Sequence, residues 1–496
     1  MPECFDVAIV GLGPAGGALA NLLGQAGFSV AVLEREAAIY PLPRAIHFDG
    51  EVMRVFHGMG LKNEIEAVTR PGDKNMHFVN ADNRVLLERG GASLNGPHGC
   101  ANNHYFHQPK LEAVLRRGIE RFPAVRVFLR HEVFAITAAE NDCSLSVENM
   151  ADGSLNDFRA RYVVGCDGAR SLVRRLMGST MEDLGLHQPW LVFDAILKRE
   201  VPSLPDNTVQ FCDPARPATY CKVIGERRRW EIMLMPGDDA LAIARIESVW
   251  KLVNRWITPA DADIERAVVY TFHSVIARGW RRGRLMIAGD SAHQTPPFLG
   301  QGMCAGIRDA ANLAWKLTMV LRNQAPASLL DTYESERAPH VRAFIDLAMR
   351  LGDVIQTTDP VVAAERDRKF AAGKPEIFEF PAPGLGPGLR TDAGFPAGQP
   401  FPQPTLADGR LLDAVTGARF VVLGAPDLLT SADDATRARW SHVEAVLVDD
   451  TSPAVRNWLA AHDAKAVVLR PDHYIVGIAR DAVELAEVSA RLPLAG

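Results

Sequence analysis

The sequence predicts an α/β protein of several domains, and three observations carry that expectation. The chain opens with a strand, a glycine-rich turn, a helix and a second strand. Residues 183–275 lose this alternation and carry strand-like runs such as Trp190 to Ile196 and Trp230 to Met235, the pattern of an inserted, mainly antiparallel layer. Beyond a Pro/Gly-rich stretch from Pro381 to Pro404, the apolar runs Arg419 to Leu423, Ala445 to Leu447 and Ala466 to Leu469 alternate with helical segments. That return to alternation predicts a small separate α/β domain. At 496 residues the chain is longer than one hydrophobic core usually serves.

In the opening unit, Phe5 to Val10 is a nearly all-apolar run of strand length. Ala15 to Ala26 has helical composition and stops at Gly27, a C′ position suited to glycine. Ser29 to Leu33 reads as a second buried strand. Between strand and helix lies Gly11-Leu12-Gly13-Pro14-Ala15-Gly16. In this spacing the first glycine permits the tight turn, the second lets backbone approach a pyrophosphate, and the third packs helix against strand. The helix N-terminus turns unpaired N–H groups and a positive dipole end toward the phosphates. Glu34, at the end of the second strand, is positioned to accept from a ribose diol, with Arg35 beside it. These residues predict a Rossmann-like domain that grips a dinucleotide.

Further along, the run Arg161 to Gly165 leads into Cys166-Asp167-Gly168, and Leu285 to Ala288 leads into Gly289-Asp290. Long helical patterns follow over about 306–322 and 330–351. The expected division is a nucleotide-binding domain from 1–74, 104–182 and 276–372, a β domain from 75–103 and 183–275, a linker at 373–404 and a C-terminal domain at 405–496. No helix follows Gly384-Leu385-Gly386-Pro387-Gly388, so this cluster reads as linker and not as a second dinucleotide turn.

Composition narrows the function. A chain that is 47% hydrophobic and 23% charged is globular, and a net charge of -6 argues against nucleic acid as a partner. Arg227-Arg228-Arg229 and Arg281-Arg282 read as solvated turns or anion contacts. The absence of a long apolar run predicts no membrane partner, and the opening strand leaves no signal peptide to infer. Seven cysteines without CxxC spacing predict a reduced, cytoplasmic enzyme with no disulfide framework.

Asp167-Gly168-Ala169-Arg170-Ser171-Leu172-Val173-Arg174 and Gly289-Asp290-Ser291-Ala292-His293 resemble the DG and GD fingerprints of the group A FAD-dependent aromatic hydroxylases, the p-hydroxybenzoate hydroxylase-like flavoproteins. The likeness continues through Pro296-Pro297-Phe298-Leu299-Gly300-Gln301-Gly302-Met303 and Ile307 to Leu317, and covers residues 4 to about 350. Within the group the chain is most similar to 3-(3-hydroxyphenyl)propionate hydroxylases, through Leu42-Pro43-Arg44-Ala45, Phe106 to Glu112, Cys212 to Pro217 and Arg228-Arg229-Trp230-Glu231. That resemblance implies a Rossmann-like FAD-binding domain, an inserted β substrate domain and a C-terminal thioredoxin-like domain without redox cysteines. It also implies FAD as cofactor, NADH or NADPH as reductant, O2 and a small aromatic substrate, in a monomer or homodimer serving aromatic catabolism. Oxygen would add to the reduced flavin to give a C4a-hydroperoxide whose distal oxygen passes to an activated, phenolic ring. Rival readings are a flavin oxidase or reductase that inserts no oxygen, and a hydroxylase of a hydroxypyridine or polyketide ring.

By the same likeness, Gly11, Gly13, Pro14, Ala15, Gly16, Glu34 and Arg35 would hold the AMP half of FAD. Arg44 and Gln108 would touch its pyrophosphate and ribityl portions, Val133 the adenine through backbone, and Asp290 the ribityl hydroxyls. Pro297, Gly300, Gly302 and Met303 would flank the isoalloxazine, and Asp167 would touch both FAD and the NAD(P)H path. Cys304, where relatives often carry asparagine, reads as a packing residue. The proton acceptor is less determined. A phenol near pKa ~10 against Asp near ~3.9 leaves a gap of roughly 8 kcal/mol, and against His near ~6.5 roughly 5 kcal/mol. Asp49 matches the Asp-Gly pair of related phenol hydroxylases and is favoured, with His47 next; Tyr220 and Arg229, on strands of the inserted layer, are candidate substrate contacts. His104 and His107 read as packing.

Overall fold

Five apolar runs form the parallel heart of the molecule, whose computed structural model describes residues 4–371, 376–378, 382–392, 394–450 and 452–494. Leu285–Ile287, Ser154–Gly165, Cys4–Val10, Val30–Glu34 and Val125–Leu129 lie side by side in parallel register. Leu285–Ile287, Cys4–Val10 and Val30–Glu34 are buried along most of their length, as is the end of Ser154–Gly165, which is why they read as apolar runs without alternation, while Val125–Leu129 lies at the partly exposed edge. His131–Ala138 and Cys143–Asn149 extend this sheet as an antiparallel flap.

Two helices meet the C-terminal ends of these strands. Pro14–Gln25 follows the glycine turn, and Gly302–Leu321 follows the Gly289-Asp290 segment. The second begins four residues earlier than expected because Gly306 lies inside it. A Cβ there would come within 3.1 Å of the Gly289 Cα, so glycine lets the helix lie directly on the strand-end loop. A long helix, Thr332–Ile355, crosses behind.

The second layer is a mainly antiparallel sheet of nine strands among the described residues. Its longest members, Thr180–Leu197 and Ala262–Arg278, pair along most of their length. The expected borders at 182/183 and 275/276 therefore fall inside uninterrupted strands. Side chains alternate between its faces. Leu191, Phe193, Tyr220, Trp230 and Ile232 pack with Val249 and Val253 of the helix Ile246–Val253, while Asp194, Arg229 and Glu231 take the opposite parity. A third, small sheet joins His47–Asp49, Asn103–Phe106 and Thr69–Pro71.

The C-terminal sheet runs Val446–Val448, Val421–Gly424, Ala466–Leu469, Ile475–Ala479. The first pair is parallel and the next two are antiparallel. It is docked through buried charge. Glu336 is fully buried and takes Lys316 at 2.6 Å and Arg470 at 2.9 Å, and Arg470 also pairs with Asp472 at 2.6 Å. Arg54 forks onto Asp413 at 2.6 and 2.7 Å.

The stretch expected to be a linker is pinned where it is described; its residues 373–375, 379–381 and 393 lie outside the described set. Leu389 donates its N–H to Glu336 Oε1 at 2.7 Å and Gly386 donates to the Glu336 carbonyl at 2.9 Å. Cβ atoms at Gly386 and Gly388 would strike the Ser335 carbonyl at 2.1 Å and Glu336 Oε1 at 2.2 Å. The glycine cluster serves close approach to a helix, so the segment is a strap.

Glu336 thus compensates two buried cations and anchors the strap. Removing one partner of a buried ion pair costs about 3–5 kcal/mol, and Glu336→Gln is expected to lower the thermal midpoint accordingly. Burial opposes ionisation of Glu336, but Arg470 and Lys316 outweigh it and hold its pKa near 2, below the ordinary 4.5. A carboxylate depressed in this way contributes stability above its unfolded pKa, and that contribution is lost as pH falls toward 2. Acid titration of unfolding should therefore show a shallower loss below pH ~4.5 in the variant. Equal slopes in both chains would contradict this role.

Candidate active site

The glycine turn has the shape its spacing demands. Gly11 adopts φ +100°, and a Cβ there would lie 2.5 Å from the Cys166 carbonyl oxygen. A Cβ on Gly16 would lie 2.1 Å from the Gly11 carbonyl oxygen, so helix and turn touch through bare backbone. At Gly13 such an atom would find nothing within 4 Å. The gap lies at the start of the helix that Pro14 and Ala15 open, where backbone N–H groups lack intrahelical partners. Glu34 Oε2 accepts from the Leu12 N–H at 2.7 Å, tying the second strand to the turn. Arg35 is exposed and paired with Glu36 at 3.2 Å. Val133 is buried on the flap, opposite Val147 beside a bulge.

A second bare helix start faces the same region. Gly300 takes φ +66° after the short turn Pro297–Leu299, and Gln301, Gly302 and half-buried Met303 lead into the 20-residue helix Gly302–Leu321. A Cβ on Gly302 also meets nothing within 4 Å. Nearby, Asp290 is exposed, and its carboxylate makes no hydrogen bond among the described residues. Two open helix N-termini and an uncommitted carboxylate fit the pyrophosphate, the electron-accepting pyrimidine edge and the ribityl hydroxyls of FAD. Buried Cys304 contacts the Gly300 carbonyl at 3.6 Å, and burial pushes its thiol well up, as a packing residue requires.

Other predicted residues hold the frame. Asp167 Oδ1 accepts from the Ser171 and Ser291 hydroxyls at 2.5 and 3.0 Å, and Oδ2 from the Leu172 and Val173 amides at 2.6 and 3.2 Å. These bonds make the side chain a clamp between the two fingerprint loops. Gln108 accepts from the Arg44 and Ala45 amides at 2.8 and 2.7 Å, while the Arg44 side chain is exposed.

Arg229 and Tyr220 do not face the site as expected. The Arg229 guanidinium is buried, forks onto Asp194 at 2.8 and 3.0 Å, and donates to the Arg44 and Pro43 carbonyls at 2.6 Å each. It braces the segment that leads to His47. Tyr220 points to the opposite face, stacked edge-on against Trp230 at 5.1 Å, with burial raising its pKa to about 12. Strand parity separates the two: Tyr220 is opposite Trp230 in register and Arg229 is opposite Cys221.

His47 and Asp49 do come together, at one wall of a cavity of about 180 Å³ that Arg89, Asn103, Arg308 and Phe344 also line. His47 Nε2 lies 2.9 Å from Asn103 Oδ1, which also accepts from Arg89 at 2.7 Å. That oxygen only accepts, so His47 carries its proton on Nε2 and leaves Nδ1 with an open lone pair. A Cβ on Gly300 would lie 3.1 Å from this Nδ1, which puts it beside the Gly300–Gly302 turn. Burial, reinforced by Arg89, lowers the His47 pKa to about 4, so the ring is neutral at pH 7.

Asp49 is committed elsewhere. Its Oδ1 caps the helix Gly50–Gly58 through the Val52 amide, and Oδ2 takes Arg308 at 2.6 Å and Gln301 at 3.0 Å. Burial opposes its charge, but the Arg308 guanidinium and these donors hold the carboxyl well below the usual range. Arg308 also donates Nη1 to Gln301 Oε1 at 3.0 Å and Nε to Glu51 at 2.7 Å. Gln301 and Arg308 lie inside the motifs quoted above and Glu51 directly follows the Asp49-Gly50 pair, and these patterns assign none of the three a role. Arg308 reaches Glu51 across 257 positions, so no local spacing signals the fork they form. Asn103 and Arg89 lay outside every motif.

A model of the FAD binding domain family matches residues 4–348, and a model of the HcaD C-terminal domain matches residues 441–494. The chain is 39% identical over 513 residues to a probable NADH-specific resorcinol 4-hydroxylase of Rhodococcus jostii (strain RHA1), covering 99% of this chain and 95% of that one. It is 34% identical to a 3-(3-hydroxy-phenyl)propionate/3-hydroxycinnamic acid hydroxylase of Mycolicibacterium smegmatis, with 98% and 92% covered. Among solved structures it is similar in fold to the flavin-dependent monooxygenase PieE in complex with FAD and substrate, at TM-score 0.84, 22% identity and 99% coverage of each chain. It is similar also to aklavinone-11 hydroxylase with FAD and aklavinone, at TM-score 0.83, 21% identity and 99% and 100% coverage. The chain belongs to the FAD binding domain family, among its FAD-dependent aromatic hydroxylases.

Proposed function

We propose that the protein hydroxylates a meta-substituted phenol of the resorcinol type, with NADH as reductant. One oxygen atom of O2 enters the ring, the other leaves as water, and NADH supplies the two electrons. The observation that carries this reading is the open Nδ1 of neutral His47 beside the Gly300–Gly302 turn, in the cavity that Arg89 and Phe344 also line. The 39% identity to a protein named as an NADH-specific resorcinol 4-hydroxylase, against 34% for the arylpropionate hydroxylases, supports this choice of ring and reductant.

Bound FAD supplies the activation of O2 after reduction by the nicotinamide. Gly11, Gly13, Gly16 and the helix they open would hold its pyrophosphate, Glu34 and Asp290 its hydroxyls, and the Gly302 and Met303 amides its pyrimidine edge. The chain's own chemistry is then positioning and proton transfer. The ring hydroxyl donates to His47 Nδ1 and grows acidic as the ring takes up oxygen, so a deprotonated acceptor in place suffices. Asn103 fixes the imidazole tautomer from behind. Asp49, favoured on sequence, is held by Arg308, Gln301 and the Val52 amide and serves the turn instead.

The C-terminal domain we read as thioredoxin-like, because its strands run parallel, antiparallel, antiparallel in the order 446, 421, 466, 475 with helices between. It has no cysteine, so thiol exchange is not its role. All seven cysteines are free thiols, which supports a reducing, cytoplasmic setting.

Purified protein should carry FAD, and resorcinol should stimulate NADH consumption more strongly than 3-(3-hydroxyphenyl)propionate, with little use of NADPH. Stimulation by the arylpropionate alone would shift the substrate assignment, and none by any phenol would count against hydroxylation. A general base contributes roughly 10²–10⁴-fold. His47→Leu is therefore expected to lower product formation at pH 7 by about 10²-fold, with recovery as pH approaches the ring hydroxyl's pKa of ~10. A variant with wild-type rate at pH 7 would remove His47 from the reaction.

A further inference from the structure

We propose that the C-terminal domain helps hold the flavin: Tyr474 is a positioning residue for the Gly300–Gly302 turn, acting through Glu51 and Arg308. The inference rests on the reading of that turn as a flavin contact.

Tyr474 ends the turn between Ala466–Leu469 and Ile475–Ala479 and is buried. Its hydroxyl donates to Glu51 Oε1 at 2.6 Å, across 423 positions of sequence. Glu51 Oε2 receives Arg308 Nε at 2.7 Å, and the rest of the guanidinium holds Gln301 Oε1 at 3.0 Å and Asp49 Oδ2 at 2.6 Å. Gln301 Nε2 closes the ring on Asp49 at 3.0 Å. Each polar arm of Gln301 is thereby fixed, and Gln301 sits between the left-handed Gly300 and the open Gly302.

The tyrosine is itself held from behind. Ile475 donates to the Gln399 carbonyl of the strap at 2.9 Å, and Asp472, two residues before Tyr474, accepts from Trp315 Nε1 at 3.1 Å on the helix that Gly302 opens. Contacts that dock the domain therefore also flank the residue whose hydroxyl reaches Glu51. The relay carries the carboxylates of Asp49 and Glu51 on Arg308, with buried Arg89 on the same cavity wall, and Glu51 is the carboxylate that the Tyr474 hydroxyl reaches. That hydroxyl disperses the charge on Glu51.

Full-length wild type, Tyr474→Phe and Glu51→Gln chains loaded with FAD provide the test, read as FAD dissociation constant and flavin midpoint potential. Tyr474→Phe keeps the ring and the packing. It should weaken FAD binding by about tenfold, the worth of one hydrogen bond, and lower the midpoint potential, because the Glu51 charge is less dispersed. Glu51→Gln removes that charge and should raise the potential. Loss of packing alone does not shift the two variants in opposite directions. Unchanged constants in both, or shifts of the same sign, overturn the proposal. Should Tyr474→Phe fail to fold, Glu51→Gln decides: a raised potential supports the relay, and a lowered or unchanged one overturns it. Wild type that binds no FAD is a different failure, that of the flavin reading itself.

Discussion

The fork of Arg308 is the constraint on which the site depends. One buried guanidinium binds Asp49, Glu51 and Gln301, and these come from the end of a strand, the start of a helix and a glycine turn. Arginine suits this because its planar donors satisfy several acceptors with one fixed geometry and it keeps its charge when buried. Asp49 is depressed below the carboxylate range by the same contact, which makes it a strong anchor and a poor proton acceptor. In the proposed reaction the open acceptor is instead His47, whose Nδ1 is uncommitted while Asp49 is occupied by Arg308, Gln301 and the Val52 amide.

The frame around this fork repeats one device, in which a side chain that resembles a catalytic group is spent on holding backbone. Asp167 fastens the two fingerprint loops, Asp309 binds the Gly289 amide and His293, and Arg229 holds the carbonyls of Pro43 and Arg44. At the two glycine turns, among the described residues, the open groups include two helix starts, the Asp290 carboxylate and the His47 Nδ1. The buried charges of Asp49, Asp309 and Arg229 each meet an opposite charge, as low-dielectric surroundings require. The C-terminal domain obeys the same rule, with Glu336 matched to Lys316 and Arg470.

Much of the fold was legible because it obeys local rules. The glycines at 11, 13 and 16 have individual steric reasons that any dinucleotide turn imposes, and the buried parallel strands read directly as apolar runs. The site was legible only in part. His47 and Asp49 lie in one quoted segment, but which of them is free depends on Arg308, some 260 residues away, and on Asn103, neither of which local spacing connects to them. Tyr220 and Arg229 each read as candidate substrate contacts because strand parity is invisible without register. Gly306 reads as a helix start and Gly384 to Gly388 as a linker, since glycine used for close packing looks the same in sequence as glycine used for a turn. The tie from Tyr474 to Glu51 had no local signature at all.

Oxygen-18 labelling under turnover tests the central claim most directly. With NADH, resorcinol and labelled O2, the account predicts one labelled oxygen in the aromatic product for each NADH consumed. NADH consumption that yields labelled hydrogen peroxide and returns the ring unchanged would contradict it.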